Sequence, residues 1–140
     1  MKPNRLAPLA EQTGVVLLAL LGYGEARGEG PLGILAVMHV ALNRASRPNR
    51  TLEGVILAPQ QFSCFNANDP NREHLLMADK DAPLAWGACA AIADLALGGH
   101  TSDPTGGASH YYADTIAPPG WTVGWRETAR LGRHIFGVAT

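Results

Sequence analysis

Hydrophobic positions run without a polar break from Val15 to Leu21, then give way to Tyr23-Gly24-Glu25-Ala26-Arg27-Gly28-Glu29-Gly30. Thr13 is placed to cap a helix running to about Arg27. Leu18, Leu21 and Glu25 follow the i, i+3, i+7 rule and share one helix face, while Gly28 reads as the left-handed residue that ends the helix. Pro31 suits the first position of a second helix reaching about Ser46, with Leu35, Met38 and Leu42 as its inward stripe. Arg47-Pro48-Asn49-Arg50 is a turn, and Thr51 caps a short helix from Leu52 to Leu57 that Pro59 stops.

A polar segment from Gln60 to Pro70 follows, rich in Asn, Asp and Pro and therefore read as loop. Pro83 to Leu97 reads as a small-residue helix closed by Gly98-Gly99. The last third changes character. Asp103-Pro104-Thr105-Gly106-Gly107 signals a tight turn, and Ala108 to Ala113 a short strand. Pro118 to Trp121 reads as loop, and Ala129 to Val138 as a closing strand or short helix. Residues 1–12 form an N-terminal arm or a short helix after Pro8. The fold class expected is mainly α with a small β element, as one domain over residues 1–140.

Composition narrows the function classes. At 46% hydrophobic and 16% charged the chain is globular, and a domain of this length buries a sufficient core without a metal or disulfide. A net charge of −1 gives no electrostatic reason to expect nucleic acid or an anionic surface, so a polymer substrate must be held by a shaped groove. Cys64 and Cys89 lack CxxC spacing and are expected to be free, buried thiols. His39, His74, His100, His110 and His134 show no i, i+4 pair, so no catalytic metal and no cofactor are expected. The apolar run is too short to span a bilayer, and Pro3, Pro8 and Glu11 interrupt any export signal. No membrane insertion is expected, and the chain is expected to be a monomer.

Glu25 is the chemically suggestive residue. A carboxyl group at the edge of an apolar face is disfavoured in its charged form, which raises its pKa toward what a general acid requires.

Four blocks in order sharpen that reading: Gly24-Glu25-Ala26-Arg27-Gly28-Glu29, Leu42-Asn43-Arg44, Gln61-Phe62-Ser63-Cys64, and Asp103 to Ala108 leading to His110-Tyr111-Tyr112. Pro119-Gly120-Trp121 and Gly132-Arg133-His134-Ile135-Phe136 follow them. From about Leu17 to Phe136 the chain resembles the SleB-like cell-wall hydrolases, which include spore cortex-lytic enzymes and phage endolysins. The resemblance implies a lysozyme-like fold and cleavage of the peptidoglycan glycan strand at the MurNAc-β-1,4-GlcNAc bond, with Glu25 as the catalytic acid. It leaves a muramidase and a lytic transglycosylase both open. Two departures stand out: His39 replaces a small apolar residue, and no peptidoglycan-binding repeat precedes the block. The expectation is an endolysin-type enzyme made in the host or bacterial cytoplasm and acting on the wall after release.

Cleaving that bond needs a proton on the leaving oxygen and stabilisation of oxocarbenium-like charge. Gln61, Ser63, Asp103, Thr105, His110, Tyr112 and Trp121 are the candidate substrate-binding residues, with Trp125 a further stacking platform. Asp103 has the competing reading of a turn residue accepting backbone N–H groups. Glu29 reads as a brace for the following turn, and Phe62 and Trp86 as core. Strand alternation sends Tyr111 and Tyr112 to opposite faces, so only one is expected in the groove, with Tyr112 on the side of His110. Two rival functions use the same segments: a cysteine amidase or peptidase with Cys64 as nucleophile and His110 as base, and a non-catalytic glycan-binding module.

Overall fold

The computed structural model describes residues 1–59 and 61–139. Gln60, which opens the predicted loop, and Thr140 lie outside the described residues. Three helices form the body: α1 (Gly14–Ala26), α2 (Gly30–Ala45) and α5 (Pro83–Leu97), each packed against the other two. Two shorter helices, α3 (Leu52–Leu57) and α4 (Ala78–Asp81), flank them. A three-stranded antiparallel sheet closes the chain: β1 (His110–Ala113), β2 (Arg126–Leu131) and β3 (His134–Val138), in the order β1-β3-β2.

The helix starts follow their local chemistry. Thr13 accepts from the Val16 N–H and Thr51 from the Gly54 N–H, each binding an amide that the first helical turn leaves free. Pro31 and Pro83 stand in the first turns of α2 and α5, where a missing N–H costs nothing. α1 is buried on all sides, with Leu17, Leu18, Ala19, Leu20 and Leu21 fully inaccessible. Its apolar run therefore makes a central core helix rather than an amphipathic one.

Several expectations are corrected. The left-handed residue where α1 gives way to α2 is Gly30 (φ +81°), the first residue of α2, and not Gly28. In α2 the inward residues are Ile34, Val37, Met38 and Ala41, while Leu35 and Leu42 are half-buried, because the helix is covered from two sides. The segment read as a closing strand or short helix is β3 and the end of β2, joined through Gly132-Arg133. The N-terminal arm contains a single 3-10 turn, Leu9–Glu11. As expected, Cys64 and Cys89 are free and buried. No helix among the described residues is long and apolar enough to cross a membrane.

Candidate active site

Glu25 sits in the last turn of α1, where the core helix reaches the surface. The preceding Gly24 lets the 3-10 turn Ser63–Phe65 pack directly on the helix: a Cβ on Gly24 would lie 2.6 Å from Cys64 Sγ and 2.8 Å from Cys64 Cβ. That contact brings two donors to Glu25. The Cys64 N–H donates to Oε1 at 3.3 Å, and the Ser63 hydroxyl stands 3.4 Å from both carboxyl oxygens.

Burial pushes the Glu25 pKa above its ordinary value of 4.5, against the opposing pull of Cys64, Ser63 and, more weakly, His134. The donors favour the charged form, but their hydrogen bonds are long, so desolvation wins. A carboxyl group in this state holds its proton further toward neutral pH than an exposed glutamate does.

Glu25 lies at one wall of a cavity of about 580 Å³ between the helical body and the sheet. Gln61, Ser63 and Asn66 line it from the central loop. His110, Tyr111, Tyr112 and Ala113 line it from β1, with Trp121 opposite and His134 on β3. Glu25 is the one Asp or Glu among the described residues in that lining.

Aromatic rings set the cavity's shape. Trp121 stands 5.2 Å from the His110 ring and 6.2 Å from Tyr112, with Trp125 behind at 5.6 Å from Tyr112. Trp121 is 44% exposed, so a flat indole face is offered to a ligand at the rim. Tyr111 is packed inward against Phe62, His134 and Phe136. Burial, and then the charge of Glu25, push the Tyr111 pKa well above 10. Tyr111 therefore stays a neutral phenol near Glu25.

Placement corrects part of the sequence reading. Gln61, Ser63, His110, Tyr112 and Trp121 surround the cavity with Glu25, but Asp103 and Thr105 lie outside it. Asp103 is the hub of a turn: its carboxylate accepts from the Thr105 N–H (2.8 Å), the Thr105 hydroxyl (2.6 Å), the Gly107 N–H (3.0 Å) and Asn43 Nδ2 (2.9 Å). Burial raises its pKa, and these donors outweigh that and hold it below the ordinary value. Thr105 is fully buried and its hydroxyl accepts from the Ala108 N–H. Both residues anchor the turn that delivers β1, and the side-chain amide of Asn43 ties that turn to α2. Asp103→Ala is expected to cost about 3 kcal/mol of stability in chemical unfolding through lost bonds to a charged acceptor. KM should move little.

Arg44 and His134 line the cavity without having been read as site residues, and other expectations are refined. Tyr111 and Tyr112 do point to opposite faces, yet the cavity wraps the sheet edge and both line it. His134 lies 9% exposed beside Tyr111, and its pKa is lowered by burial. Its only sequence signal was its place in the Gly132–Phe136 block. Arg44 donates to the Ser109 carbonyl at 2.5 Å and to Gln61 Oε1 at 2.8 Å, and lies over the Phe62 ring, so it fastens the central loop and β1 to α2. Glu29 accepts from the Arg133 N–H at 3.4 Å and braces the β2–β3 turn away from Glu25. His39 is hydrogen-bonded to Thr101 and lies outside the cavity lining. The Cys64 thiol is 1% exposed, and burial beside Glu25 pushes its pKa far up, the reverse of an activated nucleophile. Among the described residues no three His, Cys, Asp or Glu side chains are grouped to hold a metal ion.

Comparison with known proteins agrees with this architecture. A family model described as cell wall hydrolase matches residues 28–137. The spore cortex-lytic enzyme of Halalkalibacterium halodurans is 35% identical over 124 residues, covering 87% of this chain and 34% of that protein. The spore cortex-lytic enzyme of Bacillus cereus is 36% identical over 132 residues, covering 89% and 44%. The chain thus spans less than half the length of these curated relatives. Among solved structures, the catalytic domain of the germination-specific lytic transglycosylase SleB from Bacillus anthracis superposes with a TM-score of 0.66 at 26% identity, covering 96% of this chain and 98% of that one. The catalytic domain of the Bacillus cereus SleB protein gives 0.65 at 30% identity, covering 89% and 88%. Glu25 lies just before the stretch matched by the family model. With the helical body, the small sheet and most of the length matched, the chain belongs to the cell wall hydrolase family.

Proposed function

We propose that this chain cleaves the glycan strand of peptidoglycan at the MurNAc-β-1,4-GlcNAc bond, with Glu25 as the single acid and base. The observation that carries the reading is one desolvated carboxyl group, its pKa raised, in a groove walled by aromatic rings and amides. Protonated Glu25 gives its proton to the glycosidic oxygen as the C1–O bond breaks, and positive charge develops at the muramic C1. The resulting carboxylate faces that charge. It then accepts the proton of the group that attacks C1.

The lining favours an internal nucleophile. A glycosidase that hydrolyses with two carboxylates needs the second within about 5–9.5 Å of the first, and the described lining holds Glu25 alone. The C6 hydroxyl of the muramic residue satisfies the same balance: it attacks C1, loses its proton to Glu25 and closes a 1,6-anhydro ring. One carboxyl group serves both steps. The name of the Bacillus anthracis relative, a lytic transglycosylase, points the same way.

Mass spectrometry of fragments released from purified sacculi tests this. Anhydro-muramic ends are expected. Reducing muramic ends would assign a hydrolase and require a water-activating group, while intact glycan with cut peptides would overturn the reading.

A further inference from the structure

A second pocket, of about 290 Å³, adjoins the active-site cavity and shares the walls formed by Arg44, Gln61 and His110 with it. Arg47 and Arg50 complete its polar lining, over an apolar floor of Val55 and Ala58. Three arginines thus line one space in a chain whose net charge is −1, with Arg44 also bonded to the Ser109 carbonyl and Gln61.

The backbone is shaped for this convergence. Asn49, between Pro48 and Arg50, is the one described non-glycine residue in the left-handed region (φ +63°). Asn tolerates that conformation better than most residues. Arg47 and Arg50, on either side of the Pro48-Asn49 bend between α2 and α3, line the same pocket. The ion pairs among the described residues are Arg5–Asp79 and Arg130–Glu127, and neither involves these arginines. The pocket lining holds no carboxylate among the described residues: Asp103 is bonded within its own turn, and the Glu53 carboxylate lies at Gly14, at the start of α1. After burial, the charges of Arg44 and Arg47 are what hold the His110 pKa down, to about 4. Their field therefore reaches the wall common to both cavities.

We propose that this pocket binds a carboxylate of the peptide stem carried by muramic acid, and so selects glycan strands whose stems are present and charged. The inference rests on the glycan-cleavage reading. A stem branches from the same sugar whose C1 is attacked, so its carboxylates travel beside the scissile bond. A planar carboxylate also matches the fork of a guanidinium. The chemistry is shared with free oxyanions such as inorganic phosphate, and the test separates the two.

The experiment compares two substrates at constant ionic strength: native sacculi, and the same sacculi with carboxylates converted to methylamides by carbodiimide coupling. Exposed guanidinium–carboxylate contacts are each worth a few-fold, so amidation is expected to lower wild-type kcat/KM roughly tenfold, mainly through KM. Arg47→Gln/Arg50→Gln is expected to cleave both substrates at one rate, and Arg47→Glu/Arg50→Glu to prefer the amidated one. Both arginines are exposed, so melting temperatures should stay at the wild-type value. An unchanged preference for native sacculi in the Gln variant would overturn the proposal. So would inhibition by inorganic phosphate in a wild-type enzyme indifferent to amidation, which would assign the pocket to a free oxyanion. Sacculi left uncut by the wild type would overturn the glycan-cleavage reading itself, and this inference with it.

Discussion

Glu25→Gln is expected to release fragments from sacculi roughly 100- to 10,000-fold more slowly than the wild type, the range that a positioned general acid supplies. The same substitution is expected to raise the melting temperature at neutral pH. Burial raises the folded-state pKa of Glu25 above the ordinary 4.5. The folded protein therefore binds this proton more tightly than the unfolded chain does. Stability from this group is complete below about pH 4.5 and is lost as pH rises through the folded value. At neutral pH the wild type bears the cost of an ionised, desolvated carboxylate, and the neutral amide of Gln removes it. Activity and stability should move in opposite directions, as they do where a site stores an unfavourable charge. A Gln variant with lost activity and a lowered melting temperature would mean that Glu25 holds the fold rather than the proton.

The second large effect lies one residue earlier. Gly24→Ala would ordinarily stabilise a helix by about 1 kcal/mol. Here the added methyl group would sit 2.6 Å from Cys64 Sγ, 2.8 Å from Cys64 Cβ and 3.2 Å from Leu75 Cδ2. Cys64 Cβ is fixed to its backbone and cannot swing aside, so the 3-10 turn must retreat. Overpacking of this kind costs about 1–3 kcal/mol, which outweighs the helix gain. The retreat also withdraws the Cys64 N–H and the Ser63 hydroxyl from Glu25. A lower melting temperature and a fall in kcat of roughly tenfold or more are expected, since small misplacements at a reacting centre are costly. A Gly24→Ala protein as stable as the wild type would show that the central loop yields freely.

How much of this was legible in the sequence depends on the range of the interactions. α5 begins at Pro83 and ends at Leu97 as its proline and glycine pair predict, because both signals act within one turn. The position of Glu25 on the face of Leu18 and Leu21 was also local, fixed by helical period. The hairpin was only half visible. Arg126-Glu127-Thr128-Ala129-Arg130-Leu131 carries no clean alternation, and β2 is largely exposed and joined to β3 with a register shift between Glu127 and Ala129. Such a strand is specified by its partner rather than by its own pattern.

The site divides along the same line. Gln61, Ser63 and Trp121 stand on loops that polar and aromatic character marks as functional. Asp103 and Thr105 carry the same polar character, but their short side chains bond to their own backbone two to four residues on, and only the structure distinguishes the two uses. Tyr111 and His134 are held together by the antiparallel pairing of β1 with β3 and stand near Glu25 across more than eighty residues of chain. Sequence period alone cannot bring those groups together.

Glu25 is expected to hold its proton at pH values where an exposed glutamate has lost it. Titration of the Glu25 side-chain carboxyl by carbon NMR, assigned through the Glu25→Gln spectrum, measures this directly. A midpoint above 4.5 is expected, coinciding with the pH at which kcat on sacculi falls on the alkaline side. A midpoint at or below 4.5, or an alkaline fall in kcat that does not follow it, would contradict Glu25 as the acid.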